Sequence, residues 1–237
     1  MFIHTVFDVL AWISGGAIAW LVSRMGWLKQ AGIVTRTPFS DPIYFIVLGM
    51  GAISGALLFG SLNMGLGGRW EIGHSIAGAI AGGVILVELY KLFAGITGST
   101  GVQFAAPLAL GIAVGRWGCF LAGIPDFTYG TPTSLPWGVD FGDGIHRHPV
   151  QLYESFSMLA FLVVYLREIA LGNETVVRQG FYLFVSWYAL QRFIWEFFKP
   201  YPTIIGPFNV FHLICGGLLL YSLFMMGRYR EPIRQAV

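Results

Sequence analysis

The stretch IYFIVLGMGAISGALLFGSL, residues 43–62, contains no charged side chain and only two hydroxyls, Ser54 and Ser61, apart from its leading tyrosine. A helix rises 1.5 Å per residue, so twenty such residues match the roughly 30 Å hydrocarbon core of a bilayer. Working outward, comparable windows recur at 5–23, 72–93, 101–123, 151–171, 179–198 and 207–227. The breaks between windows carry stop signals: Thr37-Pro38, Asp41-Pro42, Gly98 to Gly101, Pro200 to Pro202, and Gly206-Pro207. The expected fold is therefore all-α, a polytopic membrane protein of about seven transmembrane helices. It reads as a single integral membrane domain over 1–237, with no linker and no internal repeat. An inverted-repeat transporter would show matched halves, and seven spans without pseudo-symmetry count against that class.

Composition agrees. The 237 residues are 56% hydrophobic and only 11% charged, with a mean hydropathy of +0.69. Soluble domains carry roughly a quarter charged residues. Glycine (32 residues) and aromatic side chains (16%) are both abundant, as suits bundles with close helix contacts and interfacial anchors. A net charge of +2 gives no footprint for nucleic acid or an acidic partner. Cys119 and Cys215 lie in apolar segments without metal-like spacing, so neither a disulfide framework nor a zinc site is expected. The N-terminal stretch lacks a basic region and a small-residue cleavage site, and is expected to be a retained first helix.

Lysine and arginine positions set a direction. One side of the seven-span arrangement carries nine of them: Arg24, Lys29, Arg36, Lys91, Arg167, Arg178, Arg228, Arg230 and Arg234. The other carries three, Arg69, Arg147 and Lys199. This places the N-terminus outside and the C-terminus in the cytoplasm, and puts the connection 124–150 outside, between helices 4 and 5. That connection holds Asp126, Asp140, Asp143, His146, Arg147 and His148, and loops of such length are more often functional than idle.

Two arginines remain inside spans: Arg116 in LALGIAVGRWGCFLAG and Arg192 in SWYALQRFIWEFFKP. Arginine at the bilayer centre costs at least about 2.5–3.5 kcal/mol, so its presence asks for a reason. Arg116 near the outer end of its span could snorkel, and Arg192 could form a local pair with Glu196, with Tyr188 on the same helical face. The alternative is a pair of guanidinium forks for a phosphate, a task arginine performs better than lysine. His74 opens the third span as an interfacial residue or a base. Glu88 near that span's cytoplasmic end reads as an interfacial charge, and Gly78, Gly82 and Gly83 as a close helix contact. RHPVQLYE, 147–154, leads into the fifth span. It is either a well-capped entry, with Glu154 favourable at the helix N-terminus, or a functional cluster of His146, Arg147, His148, Gln151 and Glu154.

Four separated motifs, GHSIAGAIAGG (73–83), GRWGCFLAG (115–123), HPVQLYE (148–154) and YALQRFIWEFF (188–198), together resemble the prolipoprotein diacylglyceryl transferases. These are membrane enzymes that begin bacterial lipoprotein maturation. The resemblance implies a bacterial cytoplasmic (inner) membrane protein. Its partners are membrane lipids, phosphatidylglycerol as donor, and the lipobox peptide of a preprolipoprotein as acceptor. The implied reaction moves a diacylglyceryl group onto the lipobox cysteine thiol and releases glycerol phosphate. His74 falls on the family's histidine, a general base, Arg116 on the signature arginine, and Arg192 on the second arginine with Tyr188 beside it. His148, Gln151, Tyr153 and Glu154 match the HPxQLYE segment, and Cys119, Asp126 and Glu196 complete the implied substrate-binding set. The chain departs from the family signature GRxGNFxNxE. Cys119 stands for the first asparagine, Ile124 is at the glutamate's place with Asp126 nearby, and Ser75 and Ile76 replace two glycines.

The chemistry fits. Negative charge grows on the leaving phosphate oxygen as the carbon–oxygen bond breaks, and preorganised arginines can stabilise it. A thiol with an ordinary pKa of about 8.5 needs a base, and a histidine can serve. Arg116 and Arg192 are thus expected to hold the phosphate and His74 or His148 to take the proton, with no metal or organic cofactor required. Two other readings stand beside this one: a related lipid transferase with a different acceptor, and a non-catalytic phospholipid-binding or transport protein.

Overall fold

A computed structural model describes residues 2–30 and 41–228. Arg36, Arg230, Arg234 and the Thr37-Pro38 break lie outside the described residues. The helices are α1 (Phe2–Met25), α2 (Trp27–Gln30), α3 (Pro42–Leu66), α4 (Ile76–Ala94), α5 (Ala105–Ala122), α6 (Val150–Ala170), α7 (Glu174–Glu196) and α8 (Val210–Arg228). Short 3-10 turns precede and follow α5, and a two-stranded hairpin, β1 (Val139–Asp140) with β2 (His146–Arg147), interrupts the α5–α6 connection.

Five of these helices, α1, α3, α4, α5 and α8, are long and apolar enough to cross a membrane. Helices α6 and α7 are as long but carry more charge: Glu154, Arg167 and Glu168 on one, Glu174, Arg178, Arg192 and Glu196 on the other. Large apolar side chains face outward, Trp12 at 83%, Phe93 at 86% and Leu220 at 72% exposure, while Glu154, Arg192 and Lys199 are buried. Water would not tolerate that inversion, whereas lipid favours it. The architecture is that of an all-α membrane protein.

Caps set the helix ends. Asp41, with Pro42 behind it, accepts from the Ile43 N–H at 3.0 Å. Ser75 accepts from the Gly78 N–H at 3.1 Å, and Asn173 from the Val176 N–H at 3.3 Å. The Ser75 cap starts α4 at Ile76, later than the hydropathy window at 72. Conversely, α7 begins five residues before the expected 179, because Asn173 caps it and Glu174 pairs with Arg178 at 3.0 Å. Charge hid that turn from a hydropathy window without weakening the helix.

The described residues form two compact units, 2–30 with 101–201 and 41–100 with 202–228. In the second unit α3 and α4 meet backbone to backbone. A methyl group on Gly51 or Gly82 would collide with the other's carbonyl, and Gly55 and Gly78 make a second such contact. Gly78 and Gly82 therefore carry the close packing expected of them, while Gly83 faces the Leu48 side chain. Glu88 accepts from Lys91 Nζ at 2.8 Å and from the Tyr221 hydroxyl at 2.7 Å, which ties α8 to α4. In the first unit α5 packs against α1 through Phe7 on Gly118, and against α6 through Ser155 Oγ, which donates to the Ala113 carbonyl at 2.8 Å.

The 123–149 connection is ordered by its own hydrogen bonds. Asp140 Oδ1 accepts from the N–H groups of Gly142, Asp143 and Gly144 at 2.8, 3.1 and 3.0 Å. Those donors, Gly142 foremost, hold the Asp140 carboxyl below the ordinary aspartate value of 3.8. Asp143 is likewise lowered by Arg147 Nη1, 2.6 Å away, and Arg147 is raised in return. Thr131 N–H donates to the Phe198 carbonyl at 2.6 Å, stitching the connection to the end of α7.

Candidate active site

Helix α6 buries Gln151, Glu154, Ser155 and Met158, residues at the i, i+3, i+4, i+7 spacing of one helical face. Helix α7 buries Tyr188, Gln191, Arg192 and Glu196 in the same manner, and Arg116 is buried on α5. These three faces converge on the Glu154 carboxylate. Its Oε1 accepts from Arg192 Nη1 and from Lys199 Nζ, each at 2.6 Å, and its Oε2 pairs with Arg116 Nε. Glu196 Oε1 lies 2.5 Å from Arg192 Nε and 3.4 Å from Lys199 Nζ. All five groups are at most 5% exposed.

Among the described residues, three cations, Arg116, Arg192 and Lys199, thus share two carboxylates, Glu154 and Glu196, a formal excess of one positive charge at a buried site. Unbalanced charge in low dielectric is costly, and an anionic group brought to it relieves that cost. The arginines are also held in place by Glu154 before any ligand arrives. Preorganisation of this kind lets a charge stabilise a transition state without reorganising. Gln151 adds a second polar feature. It is completely buried, and among the described residues neither its Oε1 nor its Nε2 has a hydrogen-bond partner. A buried amide left so is a ready donor and acceptor for a bound molecule.

The remaining candidates are placed differently. Cys119, one turn beyond Arg116, lies with its Sγ 3.7 Å from Arg116 Nη1. Asp126 stands apart from the ion cluster, pairing with His4 at 2.5 Å and with the Thr128 hydroxyl. His148 faces the Tyr153 hydroxyl across 3.3 Å and packs its ring on Phe198 at 4.9 Å, and Trp137 Nε1 donates to that same hydroxyl at 2.9 Å. His148 and Tyr153 therefore build an aromatic corner at the base of the connection. His74 belongs to the other unit, exposed just ahead of the Ser75 cap.

Two participants escaped the sequence reading. Lys199 counted there as an outer-loop charge, yet it is buried against Glu154 and Glu196 with Tyr201 under its ammonium at 5.7 Å. Its i+3 spacing from Glu196 was the available signal. His4 reaches Asp126 from the first turn of α1, far away in sequence, and no local pattern could have announced it.

The fold and this site define a membrane protein that gathers two arginines, a lysine and two carboxylates in a buried cluster among its helices. Residues 9–228 match the family model described as prolipoprotein diacylglyceryl transferase, and the chain belongs to that family. It is 32% identical to the phosphatidylglycerol–prolipoprotein diacylglyceryl transferase of Geobacter sulfurreducens, over 92% of this chain and 86% of that one. It is 30% identical to the protein of the same name from Solidesulfovibrio magneticus, over 100% and 99% of the two chains. The Bordetella avium protein of that name is 30% identical over 86% and 83%. No solved structure matches the chain.

Proposed function

We propose that this chain is a phosphatidylglycerol–prolipoprotein diacylglyceryl transferase, moving the diacylglyceryl group of phosphatidylglycerol to the lipobox cysteine thiol of a preprolipoprotein. The observation that carries the reading is the buried excess of one positive charge shared by Arg116, Arg192 and Lys199 around Glu154. In this account the headgroup phosphate sits against Arg116 and Arg192. The glyceryl carbon–oxygen bond breaks toward it, and the charge gathering on the departing glycerol phosphate meets donors already oriented. Gln151 supplies an amide to the bound lipid, while Tyr188 and Glu196 hold Arg192 in position. Tyr153 holds His148. His74 or His148 takes the thiol proton, and retained activity in His74→Ala would move that role to His148 or to water. The chain acts as one membrane domain of seven spans in the bacterial inner membrane, N-terminus outside and the 124–150 connection on the outer face.

A second reading is favoured by one observation: Cys119 stands beside Arg116 where the family signature has asparagine. A site altered there could serve another acceptor. Purified protein, labelled phosphatidylglycerol and a synthetic lipobox peptide separate the two. Glycerol phosphate release that requires the peptide cysteine supports the first reading, and release only with a different acceptor supports the second. Lipid binding without turnover would contradict both.

A further inference from the structure

The corner built by Trp137, Tyr153 and His148 fixes where the imidazole carries its proton. An indole N–H can only donate, and Trp137 Nε1 donates to the Tyr153 hydroxyl at 2.9 Å. Having accepted there, the hydroxyl has one hydrogen to give, and His148 Nδ1 lies 3.3 Å from it. A chain from Trp137 N–H to Tyr153 O–H to His148 Nδ1 satisfies all three groups, so neutral His148 holds its proton on Nε2. Among the described residues no hydrogen bond reaches that Nε2. The rest of the residue is pinned. Its N–H donates to the Thr131 carbonyl and its carbonyl accepts from the Gly130 N–H, each at 3.1 Å, while the Thr131 N–H donates to the Phe198 carbonyl at 2.6 Å. A methyl group on Gly130 would lie 2.3 Å from the His148 carbonyl oxygen, so this approach needs glycine. The His148 ring packs on Phe198 at 4.9 Å, and the next residue along is Lys199 of the ion cluster. Tyr153 is braced in turn by the Trp195 ring, 5.1 Å away.

We propose that His148 serves the reaction as a hydrogen-bond donor, its Nε2–H directed at a phosphate oxygen of the bound phosphatidylglycerol, and that Trp137 and Tyr153 are the positioning residues that keep it a donor. This deepens the transferase reading above and rests on it. A general base must present a bare nitrogen to the proton it takes. In His148 the bare nitrogen is Nδ1, already engaged by Tyr153, and the nitrogen left over bears a hydrogen. The thiol proton therefore goes to His74 or to water. Sulfur forms the bond to the glyceryl carbon, and the carbon–oxygen electron pair leaves with glycerol phosphate. His148 keeps its proton throughout. Its N–H bonds more strongly to the phosphate as negative charge gathers there, and it does so without adding a charge beside Arg116, Arg192 and Lys199. Tyr153 acts at one remove, because the hydroxyl that donates to Nδ1 selects both the tautomer and the direction of the ring.

The test uses the full chain in phosphatidylcholine nanodiscs with isotope-labelled histidine, the signals of His148 being those that vanish in His148→Gln. Long-range nitrogen–proton correlations should show the Nε2–H tautomer, with Nδ1 shifted by the hydrogen bond it accepts, and Tyr153→Phe should remove that shift. Adding phosphatidylglycerol should move the Nε2–H proton downfield. In transfer assays His148→Ala should raise KM for phosphatidylglycerol and lower kcat/KM about 10- to 100-fold, the loss of one hydrogen bond to a charged oxygen. His148→Gln should recover most of that loss, because a glutamine amide sets an N–H near the place of Nε2–H and has no basicity. Tyr153→Phe should lower kcat/KM about 2- to 10-fold. A wild-type His148 with its proton on Nδ1 overturns the proposal. So does a folded His148→Gln that transfers no better than His148→Ala. The spectra do not depend on turnover. The predicted tautomer and lipid-induced shift in a protein that transfers nothing would leave the donor role standing and sink the transferase reading. Efficient transfer with the proton on Nδ1 would do the reverse.

Discussion

Glu154 accepts from Arg192 and Lys199 and pairs with Arg116, so its single carboxylate holds three buried cations together. Removing its charge leaves those cations facing one another in low dielectric, and breaking buried pairs in this way costs about 3–5 kcal/mol. Glu154→Gln should therefore lower the thermal unfolding temperature in detergent markedly, and an unchanged midpoint would mean the cluster is not structurally coupled. Lys199→Met should behave in the opposite manner. It balances two cations against two carboxylates and spares the desolvation of an ammonium, so stability should hold or rise. Donor affinity should fall about tenfold, seen as a higher KM for phosphatidylglycerol with thermal stability kept. Arg116 and Arg192 were legible in the sequence because arginine is rare inside an apolar span. Lys199 was not, because a charge just past a helix end looks the same whether it meets water or folds back onto Glu196.

Among the elements, the glycine contacts were readable: Gly78 and Gly82 keep a spacing that only close backbone approach explains, and α3 lies against them. The start of α7 and the β1–β2 hairpin were not, since capping by Asn173 and the Asp140 turn depend on a few hydrogen bonds that hydropathy ignores. The hairpin carries its own pH dependence. Asp140 and Asp143 both sit below their ordinary value of 3.8, so their contribution to stability is full above that value and is lost as pH falls beneath it. Hydrogen exchange across 139–147 should remain slow from neutral pH to about 5 and accelerate below about pH 4. Asp143→Asn should show the faster exchange already at neutral pH. Exchange independent of pH over that range, after correction for intrinsic rates, would contradict the assignment.

For the whole molecule, hydropathy suffices for a helical membrane protein, and the lysine and arginine bias predicts its direction. The three-way convergence of α5, α6 and α7 required the structure, because residues 116, 154 and 192 share no local period. Seven spans with the connection outside predict that an alkaline phosphatase reporter is active when fused within 132–138 and inactive when fused after residue 228. The reverse pattern would invert the predicted orientation. The central claim is that the buried cationic cluster serves lipid transfer, and one assay meets it most directly. Transfer of labelled diacylglyceryl from phosphatidylglycerol to a lipobox peptide should fall at least about 100-fold in Arg116→Ala and in Arg192→Ala, with both proteins still folded in the membrane. Full transfer by both folded variants would contradict it.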